Sequence, residues 1–153
     1  MESYALKDLP IKHFLAAAQY MVRDEAKGEN EKYVYNLVMT DPDGVRVEKE
    51  NYWLTFNKGE IAYGEGSADA PDATEFTVLQ GGLDTLIAMQ VHGMKAAMNC
   101  MMLGYITASN LKKAEAWYKF LATGEEAVVA ALKKAGVEIT DTEMPIYDEL
   151  QLG

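Results

Sequence analysis

The sequence predicts an α+β fold, and three observations carry that prediction. A stretch of helical periodicity opens the chain, a series of strand-like segments bounded by turn residues follows, and a nearly charge-free segment leads into two closing helices. At 153 residues the chain has the size of one domain, able to bury roughly two thirds of its unfolded surface.

Asp8 before Leu9-Pro10 reads as a helix start, because the carboxylate can accept from free amides and Pro is tolerated in a first turn. Ile11, Phe14, Leu15, Ala18, Met21 and Val22 then recur on one face, so a helix is expected to about Lys27, before Gly28. Lys32 to Thr40 is rich in β-formers, and Asp41-Pro42-Asp43-Gly44 reads as a tight turn into a second strand, Val45 to Phe56. Asn57-Lys58-Gly59 turns the chain into a third strand, Glu60 to Tyr63. Two successive hairpins make an antiparallel meander. In its second strand Tyr52, Leu54 and Phe56 share one face, expected to point inward, and Trp53 and Thr55 share the other.

A small-residue loop, Gly64 to Asp72, precedes a fourth strand, Ala73 to Leu79, in which Thr74, Phe76 and Val78 alternate with polar neighbours. From Phe76 to Leu111 the only acidic or strongly basic residues are Asp84 and Lys95, so most of this segment must be hidden from water. It is too short to span a bilayer: its uncharged run, Ala96 to Leu111, falls below the roughly 20 residues required. The segment reads as helix from Leu83 to Val91, helix from Met94 to Asn99 and a fifth strand from Met101 to Thr107. Ser109 or Asn110 can cap a helix with Leu111, Ala114, Trp117, Tyr118 and Leu121 inward. Thr123-Gly124-Glu125-Glu126 has the form of a capping box, opening a helix that Gly136 ends. The last segment, from Val137, has five acidic and no basic residues and reads as a packed strap or a loose tail.

Charge and cysteine content exclude several function classes. With a net charge of −10 and no basic cluster, nucleic acid is not an expected partner, because duplex binding requires phosphate neutralisation. Nor does the net charge attract the chain to anionic membranes, and no stable insertion into a membrane is expected. Cys100 is the single cysteine, which excludes an intrachain disulfide and suits a reducing compartment. Met1-Glu2-Ser3-Tyr4 has no secretory pattern, so a cytoplasmic location is expected.

The residues that could carry chemistry are few. His13 and His92 have no Cys or carboxylate at metal-ligand spacing, and neither a metal nor a cofactor is expected. Asp84, in a predicted first helical turn, and His92, before Gly93, are the candidates for an acid or base. Each has a structural reading, the helix dipole for Asp84 and a backbone-satisfied helix end for His92. The positive signal is methionine: five of nine lie between Met89 and Met102. Thioether side chains are flexible and polarizable, and suit either an irregular core or the wall of a cavity.

Tyr52-Trp53-Leu54-Thr55-Phe56-Asn57-Lys58-Gly59, an aromatic strand ending in a Gly turn, and Asp72-Ala73-Thr74-Glu75-Phe76-Thr77-Val78, an Asp-x-Thr strand, resemble the sterol carrier protein type 2 lipid-binding family. The resemblance covers about residues 33–121. It departs from the family pattern where Cys100-Met101-Met102 replaces a Gly-Lys-Leu opening of the last strand. It implies a five-stranded, mostly antiparallel sheet with helices over one face and an apolar tunnel between the layers. The implied organisation is one domain over 1–153, with 124–153 as a C-terminal helix and acidic extension.

The implied function is to bind, and to transfer between sites, a fatty acyl chain, a sterol-like lipid or acyl-CoA. The expected walls are Tyr52, Leu54, Phe56, Phe76, Leu83, Leu86, Met94, Met98 and Met102. The alternatives are an enzyme on the same scaffold, with Asp84 or His92 as acid or base, and a non-catalytic protein-binding subunit. A homodimer is compatible with each of these readings.

Overall fold

The structure, a computed structural model, describes residues 1–152. Its centre is a five-stranded sheet in the order β4-β3-β2-β5-β6. The strands are β2 (Lys32–Met39), β3 (Asn51–Asn57), β4 (Glu60–Glu65), β5 (Thr74–Val78) and β6 (Ile106–Ala108). Only the β2–β5 pair is parallel; the other three pairings are antiparallel. The expected meander is β2-β3-β4. Its second turn holds two residues, Lys58 and Gly59, both at positive φ (53° and 83°), the conformation whose twist matches paired strands. A Cβ at Gly59 would also lie 2.4 Å from the Lys27 carbonyl oxygen.

Alternation fixes which face is covered. Tyr35, Leu37, Met39, Tyr52, Leu54, Phe56, Phe76 and Val78 are all buried, and cross-strand partners such as Tyr35↔Leu54 and Leu37↔Phe76 place them on one face. On the opposite face of β2, Asn36 exchanges two hydrogen bonds with the backbone of Ala68, so the loop before β5 crosses there. The helices are α1 (Ile11–Ala17), α2 (Leu83–His92), α3 (Met94–Met102), α4 (Leu111–Phe120), α5 (Glu125–Lys134) and the short α6 (Ile146–Glu149). Helix α5 packs on α1 and α2, with Val128, Ala131 and Leu132 buried in the core they share with the sheet.

The structure revises several elements. The first helix ends at Ala17 rather than near Lys27, and it follows Pro10 with no side-chain cap from Asp8. The chain leaves the helix because its next residues bond to the end of α4: the Arg23 amide donates to the Phe120 carbonyl (2.8 Å), and Val22 bridges Leu121. Tertiary pairing here overrides local periodicity. The second strand starts at Asn51, not Val45, because Gly44–Arg46 forms a 3-10 turn that buries Arg46 and leaves Val45 outside. Met101 and Met102 close α3 instead of opening a strand, and β6 begins only at Ile106. Leu111, expected inside, is exposed. Helix α5 starts at Gly124, φ 115°, with no side-chain cap bond, so no capping box forms.

A second sheet has no counterpart in the sequence reading. Strand β1 (Glu2–Ala5) pairs in parallel with β7 (Val137–Asp141). The last segment is therefore a packed strap, held also by buried Met144, Ile146 and Leu150.

The inward register of β3 is testable. Leu54→Asp should cost about 3 kcal/mol or more, because it leaves a carboxylate opposite Tyr35 in the core. Thr55→Asp, on the other face, should cost about 1 kcal/mol or less. Urea denaturation of the two variants measures the contrast, and equal losses would mean that β3 is shifted by one residue.

Candidate functional site

A cavity of about 200 Å³ lies between the sheet and the helices. Its floor is Leu37 and Phe76, register partners on β2 and β5, with Phe14 from α1 and Trp117 from α4. Three rings brace this floor: Tyr35 lies 5.7 Å from Phe76 and meets Trp117 edge-on at 5.2 Å, while Trp117 meets Phe76 edge-on at 6.0 Å.

One wall is a face of α3. Met94, Ala97, Met98 and Met101 follow the i, i+3, i+4, i+7 spacing that puts side chains on one stripe, and all four line the cavity. Gly93, φ 68°, allows the sharp break between α2 and α3 that turns this stripe toward the sheet. Leu86 and Met89 of α2 and Ala114 and Tyr118 of α4 complete the wall. The mouth is outlined by lining residues that reach solvent: Met94 at 42%, Met98 at 56% and Leu111 at 61% exposure.

The polar groups of the lining already have partners. Gln90, 2% exposed, donates to the Ala122 carbonyl and accepts from the Trp117 indole, both at 2.8 Å. The Tyr118 hydroxyl donates to the Met89 carbonyl at 3.0 Å, and burial raises its pKa, so it stays a donor. The remaining polar residue, Glu115, is exposed at the rim. The interior therefore presents mainly carbon and sulfur. Among the described residues no three His, Cys, Asp or Glu side chains gather in a way that could hold a metal ion.

Of the expected wall residues, the structure brings Phe76, Leu86, Met94 and Met98 together at the cavity. Tyr52 and Leu83 are buried in the core but outside the lining, and Met102 is 82% exposed beyond the stripe. Leu54 and Phe56 border a separate gap of about 10 Å³, room for one water at most. The two acid–base candidates also lie outside the lining. Asp84 pairs with the buried guanidinium of Arg46 at the start of α2. Its pKa is raised, chiefly by burial, although Arg46 acts to lower it. His92 is exposed and packs edge-on against Tyr147 at 4.5 Å.

The sequence reading omitted Phe14, Leu37, Met89, Gln90, Ala97, Met101 and Trp117 from the site. The helical stripe from Met94 would have identified Ala97 and Met101. Nothing local marks Leu37, which joins the site through a parallel pairing.

The sequence matches no family model, and it matches no curated protein. Two solved structures match about two thirds of the chain. A double mutant of the sec-alkyl sulfatase PisA1 matches with a TM-score of 0.50 and 15% identity over 67% of this chain. The stereoselective inverting sec-alkylsulfatase Pisa1 from Pseudomonas sp. matches with a TM-score of 0.48 and 15% identity, again over 67% of this chain. In both cases the similar region is 15% of the sulfatase chain. At this identity the likeness is one of fold.

The buried acids make a prediction for alkaline pH. Burial pushes the Cys100 thiol up to about 12 and the Tyr147 hydroxyl up to about 12, and it raises Tyr35 and Tyr118 as well. For an acid raised in the folded state, stability is fully present below the unfolded pKa and is lost as pH rises toward the folded one. The melting temperature should therefore fall from about pH 9 upward, where the unfolded thiol and then the tyrosines ionise. Cys100 should react with a disulfide reagent at pH 8 only as fast as the chain opens, at least a hundredfold slower than in urea. Rapid labelling of the native protein would contradict this environment for the thiol.

Proposed function

We propose that this protein binds an apolar small molecule, or the apolar part of an amphiphile, in the cavity between the sheet and α3. The observation that carries the reading is the lining: an open space among apolar side chains whose polar neighbours are already hydrogen-bonded. Such a site favours whatever fills it with hydrocarbon.

Size narrows the ligand. An engineered apolar cavity of about 150 Å³ accepts benzene, so about 200 Å³ takes roughly eight carbons on the same scale. A short or medium acyl or alkyl chain fits, whereas a fused-ring sterol is far larger than the space. At about 0.8 kcal/mol per buried methylene, eight would contribute roughly 6 kcal/mol before the cost of association, so a dissociation constant on the order of tens of micromolar is the tightest expected. Asp84 and His92, the acid–base candidates of the sequence, are outside the lining.

Trp117 lines the cavity, whereas Trp53 is on the opposite face of the sheet. In a Trp53→Phe background, 1-bromooctane should therefore quench the fluorescence of Trp117 saturably in the micromolar range. Ala97→Phe fills the space from α3 and should weaken that quenching at least tenfold while costing less than about 1 kcal/mol of stability. In a fully packed core the same change would cost about 1–3 kcal/mol. Unsaturable quenching, or a large loss of stability with no binding to lose, would refute the cavity reading.

A further inference from the structure

The apolar lining does not end at the mouth. Among the described residues ten large hydrophobic side chains are exposed, and five of them, Met94, Met98, Met102, Leu103 and Leu111, fall between positions 94 and 111. The other five are scattered from Met1 to Leu79. Three of the clustered residues belong to the cavity wall as well, and Met102 is one helical turn beyond Met98 on α3, so the apolar wall continues onto the exposed surface. Single exposed hydrophobics are ordinary; a patch contiguous with a cavity indicates a binding face.

The charge along this segment departs from the rest of the chain. From Thr85 to Ala114 there is no acidic residue and there are three lysines, in a chain of net charge −10. Lys113 reaches the Asp72 carbonyl. Lys95 and Lys112, each next in sequence to a rim residue, are exposed and make no ion pair among the described residues. Glu115 is the one carboxylate at the mouth.

We propose that this rim docks the protein on an anionic lipid surface, with Met98, Met102, Leu103 and Leu111 in the interface and Lys95 and Lys112 on the headgroups. The proposal rests on the cavity reading and adds the source of the ligand. A mouth pressed against lipid gives an apolar molecule a path into the cavity that avoids water. A second copy of the chain would instead seal the mouth and close that path. Each lysine held near an anionic surface adds about 1 kcal/mol, about fivefold in affinity, and salt screens that attraction. The net charge of the molecule opposes approach, so contact is peripheral and reversible.

Flotation of the full chain with vesicles of equal phosphatidylglycerol and phosphatidylcholine tests this. The wild type should bind these vesicles, bind pure phosphatidylcholine at least fivefold less, and lose binding in high salt. Two double variants, Met102→Asp with Leu103→Asp and Lys95→Glu with Lys112→Glu, should each weaken binding at least tenfold. None of these four residues lines the cavity, so quenching of Trp117 by 1-bromooctane in solution should persist in both variants. That separates failure of docking from failure of the cavity. The proposal is overturned if the wild type does not float, or floats equally well in both variants. It is equally overturned if sedimentation reveals a dimer that Met102→Asp dissociates, because a second copy would then be the occupant.

Discussion

The cavity exists because Tyr35 holds α4 away from the sheet. Tyr35 is on the central strand, almost wholly buried, and its hydroxyl donates to the Lys113 carbonyl in the first turn of α4 at 2.7 Å. The length of the phenol sets the separation between strand and helix at that point. Trp117, one turn further on, fills the gap edge-on to both Tyr35 and Phe76 and is fixed by its bond to Gln90. Trp117 borders the small gap on one side and the large cavity on the other. The three rings thus act as a partition: one side of the helix layer closes to native density, and the other keeps the space that α3 and α2 surround. Burial raises the Tyr35 pKa, which keeps the hydroxyl a donor throughout the neutral range.

A second polar anchor holds the opposite end of the layer. The Arg46 guanidinium, only 8% exposed, donates through Nε to the Leu9 carbonyl at 3.0 Å and through its terminal nitrogens to Leu6 and Asp84. One side chain therefore joins the loop after β2, the segment before α1 and the first turn of α2. Buried ion pairs gain little net energy over apolar packing, but they fix which segments meet. That trade suits Asp84, whose carboxylate is penalised by burial and compensated in part by Arg46. It also explains why a residue that looks like an acid–base candidate in sequence is a structural partner in space.

What could be read from sequence divides along the same line. The meander, the alternation of Tyr52, Leu54 and Phe56, the break between the two helices at Gly93 and the Asn110 cap, which accepts from the Lys113 amide at 3.0 Å, were legible because each depends on residues a few positions apart. The early end of α1, the inward turn at Arg46 and the β1–β7 pair were not, because each is set by contacts with distant segments. The site followed the same rule. Methionine content pointed to α3, yet the stripe continued through Met101 and left Met102 outside, since the chain stays helical where a strand was expected. Leu83, Tyr52, Leu54 and Phe56 are as apolar as any true wall residue. Nothing local distinguishes a residue facing a filled part of the interlayer space from one facing an empty part.

The composition of α3 suits the binding proposed for its stripe. Branched aliphatic side chains with fixed rotamers define a core well, but they would either close the space or leave a void lined by atoms lacking contacts. Methionine has three rotatable bonds and a polarizable sulfur, so it can lie across an empty cavity or fold back around an occupant at small cost. Placing Met94 and Met98 where they are half exposed and Ala97 where it is buried makes the mouth adjustable and the inner wall fixed. The helix bearing them starts at Gly93 and is followed by Gly104, both at positive φ, while the Asn99 amide donates to the Leu150 carbonyl at 2.8 Å and ties its outer side to the C-terminal strap. The wall is thereby supported from behind by the C-terminal strap, and the variability is confined to the side chains that face the opening.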